Sequence, residues 1–191
     1  YKESTEIYKG MELIDRKFGG AIPLDIIIDA PADFAEKQQD YTESDDIFAA
    51  EDDEFDFLEE EKTISSGYWF NSFIFSKIRD IHQYLDNIPE TGKILSLDTT
   101  IRTLESLNKG NVIDSFTMNV AYNKISEDLK KILYYPYISE DGNQIRFSIR
   151  VYESFKGLNR NDLINKISND LINKFKIEES QIHLNGMFVL Y

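Results

Sequence analysis

Asp25 and Asp29 are the two side chains of this sequence whose type and spacing come nearest to a catalytic arrangement. They lie four residues apart in the run Ile22-Pro23-Leu24-Asp25-Ile26-Ile27-Ile28-Asp29. On an extended strand both point to the same side. A pair of carboxylates so presented could divide acid and nucleophile roles, as in glycoside hydrolysis. The competing reading is that both are surface acids of a sheet, paired across it with Arg146 or Arg150. Alanine at both positions would abolish any hydrolysis that depends on them.

The other chemistry-bearing residues are sparse. Cysteine is absent, which excludes disulfides, thiolate zinc sites and thiol nucleophiles. The two histidines, His82 and His183, are too few for a three-histidine metal site and far apart in the sequence. His82 borders the apolar stripe of a helix, and His183 alternates out of an apolar strand face onto the sheet surface. Ser65-Ser66-Gly67 carries neither a phosphate-loop nor a nucleophile-elbow pattern. Gly19-Gly20 follows a helix and precedes a strand, the reverse of a dinucleotide fingerprint. Tyr134-Tyr135-Pro136-Tyr137 could stack a ligand, but also suits an aromatic hinge between helix and strand. Eleven acids fall between Glu43 and Glu61 with no base among them. That block lacks the central glycine and the spacing of a calcium loop; like charges so dense repel one another. No cofactor and no metal site is expected.

Charge bounds the partners. The formal net charge is −14 and the pI is near 4.5. Nucleic-acid binding needs a basic surface, and attraction to anionic lipid does too, so neither is expected. No run of about 18 apolar residues occurs in the given sequence that could span a bilayer, and none of its segments is expected to be a signal peptide. Both ends of the sequence read as cuts in a longer parent chain, since it opens on Tyr1 and closes on Met187-Phe188-Val189-Leu190-Tyr191.

The elements that must hold these residues follow from periodicity. Residues 3–18 read as a helix capped by Ser4 or Thr5, striped by Ile7, Met11, Ile14 and Phe18 and ended by Gly19-Gly20. Residues 22–29 read as a strand, with Pro23 marking an edge or a strand start. The acidic stretch 31–66 reads as an insertion, pinned in places by Ile47, Phe48, Phe55, Phe57 and Leu58. A helix from about Trp69 to Asn87 carries Ile74, Ile78, Ile81 and Leu85, and a strand follows over 92–97. Asp98 or Thr99 caps a short helix, and a longer one spans roughly 113–133, so that 98–138 is a helical insertion. Asp141-Gly142-Asn143 is a turn. Ile145 to Tyr152 alternates most cleanly of all, with Arg146 and Arg150 on its polar face. A helix over 159–175, capped by Asn159 or Asn161 and striped by Ile164, Ile167, Leu171 and Phe175, leads to a final strand over 181–190, where Gly186 suggests a bulge or a close backbone contact. Two βαβ units in this order predict one α+β domain over 1–191, with a ferredoxin-like, antiparallel four-stranded sheet. That fold serves many functions and names none of them.

One resemblance narrows the choice. Leu13-Ile14-Asp15-Arg16-Lys17-Phe18-Gly19-Gly20-Ala21-Ile22-Pro23-Leu24-Asp25-Ile26-Ile27-Ile28-Asp29 resembles the segment in which a helix descending from a membrane span turns through a glycine pair into a periplasmic domain. Exporters of the resistance-nodulation-division (RND) superfamily, among them hopanoid, mycobacterial-lipid and Patched-like members, carry such a segment. Ser96-Leu97-Asp98-Thr99-Thr100-Ile101-Arg102 and Gly186-Met187-Phe188-Val189-Leu190-Tyr191 agree with it, and the order of elements is similar to the porter subdomains of that superfamily. The acidic block departs from the pattern. The resemblance implies a non-enzymatic periplasmic loop of a proton-driven exporter, at the periplasmic face of the bacterial inner membrane, with residues 1–20 as a membrane-proximal helix. Its implied partners are the membrane helices, the other periplasmic loop and a lipidic or amphiphilic substrate; homo-oligomeric assembly is compatible with it. Arg146, Arg150 and Tyr152 on the sheet, and Trp69, Phe70 and Phe73 after the acidic stretch, are the candidates for the substrate path or a partner face. The alternative function is a stand-alone acidic ferredoxin-like domain that binds a ligand or a protein.

Overall fold

A computed structural model describes residues 5–32, 68–70, 72–113, 117, 122 and 124–190. The expected acidic insertion lies almost wholly outside the described residues. The elements are α1 (Glu6–Phe18), β1 (Ile22–Asp29), a 3-10 turn (Tyr68–Phe70), α2 (Ser72–Asp86), β2 (Thr91–Leu95), α3 (Leu97–Leu107), α4 (Glu127–Leu133), β3 (Gln144–Val151), α5 (Arg160–Asn173), a second 3-10 turn (Glu179–Gln181), β4 (Ile182–Asn185) and α6 (Met187–Leu190).

The strands form one antiparallel sheet in the order β2-β3-β1-β4. That is the ferredoxin-like arrangement: each βαβ unit leaves a gap of one strand, and the other unit fills it. Register follows from which residues must be dry. Ile22 pairs with Val151 and Asp29 with Gln144, so that Leu24, Ile26 and Ile28 share a face with Ile145, Phe147, Ile149 and Val151. Those seven are at most 3% exposed. A slip of one residue would place every one of them in water. Ile74, Ile78, Ile81 and Leu85 of α2, and Leu163, Ile167 and Leu171 of α5, cover that face. Burial of each such side chain contributes roughly 1.5–3 kcal/mol relative to exposure.

Several boundaries differ from the sequence expectation. Of the two readings of Pro23 the strand start holds and the edge does not: it is the second residue of β1, which lies between β3 and β4. It is tolerated because β4 pairs only with Asp25 to Ile28. The last strand ends at Asn185, where Gly186 adopts φ 105° and turns the chain into α6. A Cβ there would lie 2.7 Å from the carbonyl oxygen of Pro23, so a side chain is excluded. The cap of α3 is Ser96, earlier than expected; its hydroxyl accepts from Asp98 N while Thr99 Oγ1 accepts from Ser96 N. The single helix expected over 113–133 is interrupted. Thr117, Tyr122 and Lys124 are helical, Ile125 is a bend and Ser126 is extended with ψ 152° before α4 begins. Ser126 followed by Glu127 and Asp128 is a start signal for a new helix, and it prevails over the continuous apolar period. On α5 the dry stripe is Leu163, Ile167 and Leu171, with Ile164 and Phe175 only half-buried. Thr5 and Asn159 cap their helices as the sequence suggested.

Candidate functional site

At one end of the sheet β1 starts, β3 ends, β2 starts and β4 ends. The chain both enters and leaves the domain at this pole. It enters through α1, whose last turn closes with Gly19 at φ 69°. Gly19 O accepts from Lys93 N at 2.7 Å, and Gly20 rests against the backbone of Arg150, where a Cβ would come within 2.8 Å. Asp15, buried within α1, accepts from Ser154 N at 2.7 Å. These ties bind the C-terminal half of α1 to the start of β2 and the end of β3. The apolar residues of α1 do not enter the core: Ile7 is 61% exposed, Ile14 45%, Phe18 63% and Leu13 54%. The chain leaves through α6, where Phe188 is buried under the guanidinium of Arg160 while Met187, Val189 and Leu190 are exposed. One pole thus presents two largely unburied apolar segments, and of the stripe on α1 only Met11 is half-buried while Ile7, Ile14 and Phe18 are exposed.

The expected site residues fall in three places. Arg150 and Tyr152 belong to this pole. Arg150 is exposed, and Tyr152 lays its ring across Gly92, where a Cβ would meet Tyr152 Cζ at 2.8 Å. Arg146 lies further along β3 and is tied to Asp25 Oδ2 at 2.8 Å. Of the pairings across the sheet anticipated from the sequence, the one between Arg146 and Asp25 is therefore present. Trp69 and Phe70 sit in the 3-10 turn, before α2 begins, and are 5% and 7% exposed. Phe70 packs against Phe75, Tyr122 and Tyr134 with ring centroids 5.0–6.3 Å apart. Phe73 is 76% exposed on the far side of α2. The six residues do not form one site.

The two aspartates of the sheet are each committed to neighbours. Asp29 accepts from Gln144 Nε2 at 2.8 Å, and its other oxygen lies 2.7 Å from His183 Nε2. Four residues along a strand separate Asp25 and Asp29 by about 13 Å, beyond the roughly 5–9.5 Å at which paired carboxylates cleave glycosides. Tyr134 is buried in the core, where desolvation raises its hydroxyl to about 12. The tyrosine cluster therefore joins α4 to the sheet, and Ile138 bridges to Ile145.

Two further groupings were hidden in the sequence because their members are far apart. Ser96 Oγ, His82 Nδ1 and Asp98 lie together between α2 and α3, with Ser96 Oγ 2.8 Å from His82 Nδ1. The residue types suggest a nucleophile, but Ser96 is fully buried and occupied as a helix cap. Burial lowers the pKa of His82, more than the nearby Asp98 raises it. Asp98, fully buried, is held by Arg79 at 3.1 Å and by Arg102 at 2.5 Å, and Arg79 also reaches Glu105. This cluster fastens α3 to α2. At the pole opposite the terminal helices, Trp69, Lys77 and Lys176 converge on a cavity between the sheet and α2.

Compared with protein-family models, curated proteins and solved structures, the chain matches none. No helix among the described residues is long and apolar enough to cross a membrane. Among those residues there is also no group of three or more His, Asp or Glu side chains that could hold a metal ion.

Proposed function

We propose that this chain is a periplasmic porter-type domain of an RND exporter, carried between membrane helices and forming part of the path for lipidic or amphiphilic molecules. The supporting observation is the shared pole: α1 and α6 meet the sheet at the same end and keep Ile7, Leu13, Ile14, Phe18, Met187, Val189 and Leu190 largely out of the core. A domain hung from two membrane spans needs its two connections on one side, and it needs apolar surface where they approach lipid or neighbouring helices. The ferredoxin-like body suits a rigid unit that rocks against others while the membrane half changes state. In this reading the domain contributes walls and movement and no bond chemistry. Its partners are the membrane helices and the second periplasmic loop.

The test is to sequence the coding region on both sides of this segment. Apolar runs of about 20 residues abutting α1 and α6 support the proposal; polar flanks or stop codons refute it. Lipid and amphiphile binding to the whole transporter would then be measured.

A second reading, a ligand-binding domain unrelated to transport, is favoured by the cavity at the opposite pole. It predicts polar flanks and a saturable small-molecule site.

A further inference from the structure

The cavity between the sheet and α2 has a volume of about 200 Å³. Its walls are apolar: Ile28, Ile145 and Phe147 from the sheet, and Ile74, Ile78 and Ile81 from α2. A cavity of about 150 Å³ lined by such residues is large enough to take up benzene. The space therefore suits one six-membered ring or a short alkyl chain with a small head.

The polar groups of the lining divide by whether they are already used. Asp29 has both oxygens occupied, by Gln144 and His183. Glu178 accepts from Gln181 N, and Gln181 is used at both ends, donating to Asp29 O and accepting from Glu178 N. The donors are the unused groups. Trp69 is 5% exposed, and its indole Nε1 is buried without an acceptor. Neither Lys77 nor Lys176 pairs with a carboxylate among the described residues. A buried N–H with no acceptor carries an uncompensated desolvation penalty, and a ligand that supplies the acceptor recovers it. The half-buried Lys77 ammonium, with no carboxylate partner among the described residues, and the more exposed Lys176 beside it favour an anion as the head on their side of the cavity, away from the hydrogen-bonded carboxylates of Asp29 and Glu178 and against the chain's overall charge of −14. Burial lowers the pKa of Lys77 as well, a penalty that a bound anion would offset.

We propose that this cavity binds a compact amphiphilic carboxylate, its apolar body among the isoleucines and its head toward Trp69, Lys77 and Lys176. The site is distinct from the terminal pole and does not rest on the transport reading.

Trp69 is the one tryptophan of the chain, so the protein carries its own reporter. The nitrogen-15-labelled chain has a single indole N–H resonance, to be followed while benzoate, octanoate, benzyl alcohol and octanol are titrated separately. The expected result is a saturable shift of that resonance with benzoate or octanoate, accompanied by a change in tryptophan fluorescence. The acid binds about fivefold or more tightly than its matched alcohol. Lys77→Gln, at a half-exposed position that folding tolerates, weakens the acid about fivefold and leaves the alcohol unchanged. Benzoate saturating without octanoate identifies a ring as the body, and the converse a chain; either supports the site. Absence of a saturable shift with all four compounds overturns the proposal. Equal affinity for acid and alcohol, or an unaltered Lys77→Gln, overturns it too. Such a failure leaves the exporter proposal standing, and polar gene flanks leave this site standing.

Discussion

Gly92→Ala is the sharpest perturbation of the pole at which α1 joins the sheet. A Cβ built on Gly92 lies 2.1 Å from the carbonyl oxygen of Gly19, 2.5 Å from its carbonyl carbon and 2.8 Å from Tyr152 Cζ. Real Cβ atoms essentially never approach within 3.0 Å, so the backbone of Gly19 must retreat by nearly 1 Å. The tyrosine ring could rotate away, but a main-chain carbonyl cannot. The same carbonyl accepts from Lys93 N at 2.7 Å, and the retreat breaks that bond. Overpacking costs about 1–3 kcal/mol and the lost hydrogen bond about 0.5–1.5 kcal/mol, so the expected destabilisation is about 2–4 kcal/mol. For a domain of this size that lowers Tm by roughly 5–15 °C. Urea unfolding followed by tryptophan fluorescence measures it, with the midpoint expected to fall and the m-value to stay constant. Gly10→Ala is the control. It lies inside α1 with nothing within 4 Å of its Cβ, and should stabilise by about 0.5–1 kcal/mol through helix propensity alone. A Gly92→Ala protein within about 0.5 kcal/mol of the parent would show that the close approach of Gly19 to β2 is not a constraint on the fold.

The remaining predictions concern buried and partnered polar groups. Asp98→Ala should cost about 2–3 kcal/mol in urea unfolding, below the range for wholly buried pairs because Arg79 and Arg102 remain about half in water; a change under about 0.5 kcal/mol would refute its role as the fastener of α3. His82 has its pKa lowered by burial, so below its ordinary value near 6.5 the unfolded chain takes up the proton first. Stability linked to His82 is complete above that pH and declines as pH falls through the lowered folded value. An NMR titration in which its ring protons at or above 6.5 would contradict this. Tyr84 donates to Asp170 at 2.6 Å, and burial together with that carboxylate raises its pKa, as burial raises Tyr134 to about 12. The sign is opposite here: the stabilisation is complete below about pH 10 and is lost as pH rises through the folded values. Tyr84→Phe should reduce the alkaline loss, and an unchanged alkaline limb would sink the assignment. Asp170 is held below the usual carboxylate range, first by the Tyr84 hydrogen bond and then by Lys174, so its contribution fades only as pH falls through that lowered value. Asp170→Asn should flatten the acid limb of the stability curve.

The alternation of Ile22 to Asp29 and of Ile145 to Tyr152 was enough to place both central strands and to choose their dry faces, because a period of two has one consistent burial pattern. The βαβ order then left few topologies. The same alternation put Arg146 and Arg150 on the face of the two aspartates, and the register of the sheet then chose Arg146 with Asp25. The site was much less legible. Trp69, Phe70 and Phe73 are near neighbours in sequence, yet two are in the core and one is in solvent, since the 3-10 turn before α2 changes the direction in which successive side chains point. Lys77, Lys176 and Trp69 share no periodicity, and the sheet crossovers alone bring them to one cavity.

Local rules therefore account for what is local: caps at Thr5 and Asn159, the left-handed turn at Gly19, and the hydrophobic stripes of α2 and α5. Those depend on one residue's φ or on side chains within a turn of each other. The stripe on α1 looked the same to such rules, since amphipathicity records that a face is apolar and not what covers it. Whether Ile7, Leu13, Ile14 and Phe18 enter a core depends on which surfaces the folded sheet still has free, and its dry face is already filled by α2 and α5. Gly186 could be read locally as a bulge or a close backbone contact, and only the folded sheet supplies the neighbour that decides between them, the carbonyl oxygen of Pro23 2.7 Å from where a Cβ would lie. Long-range packing decides these outcomes, and it converts a row of apolar residues into either core or an exposed pole.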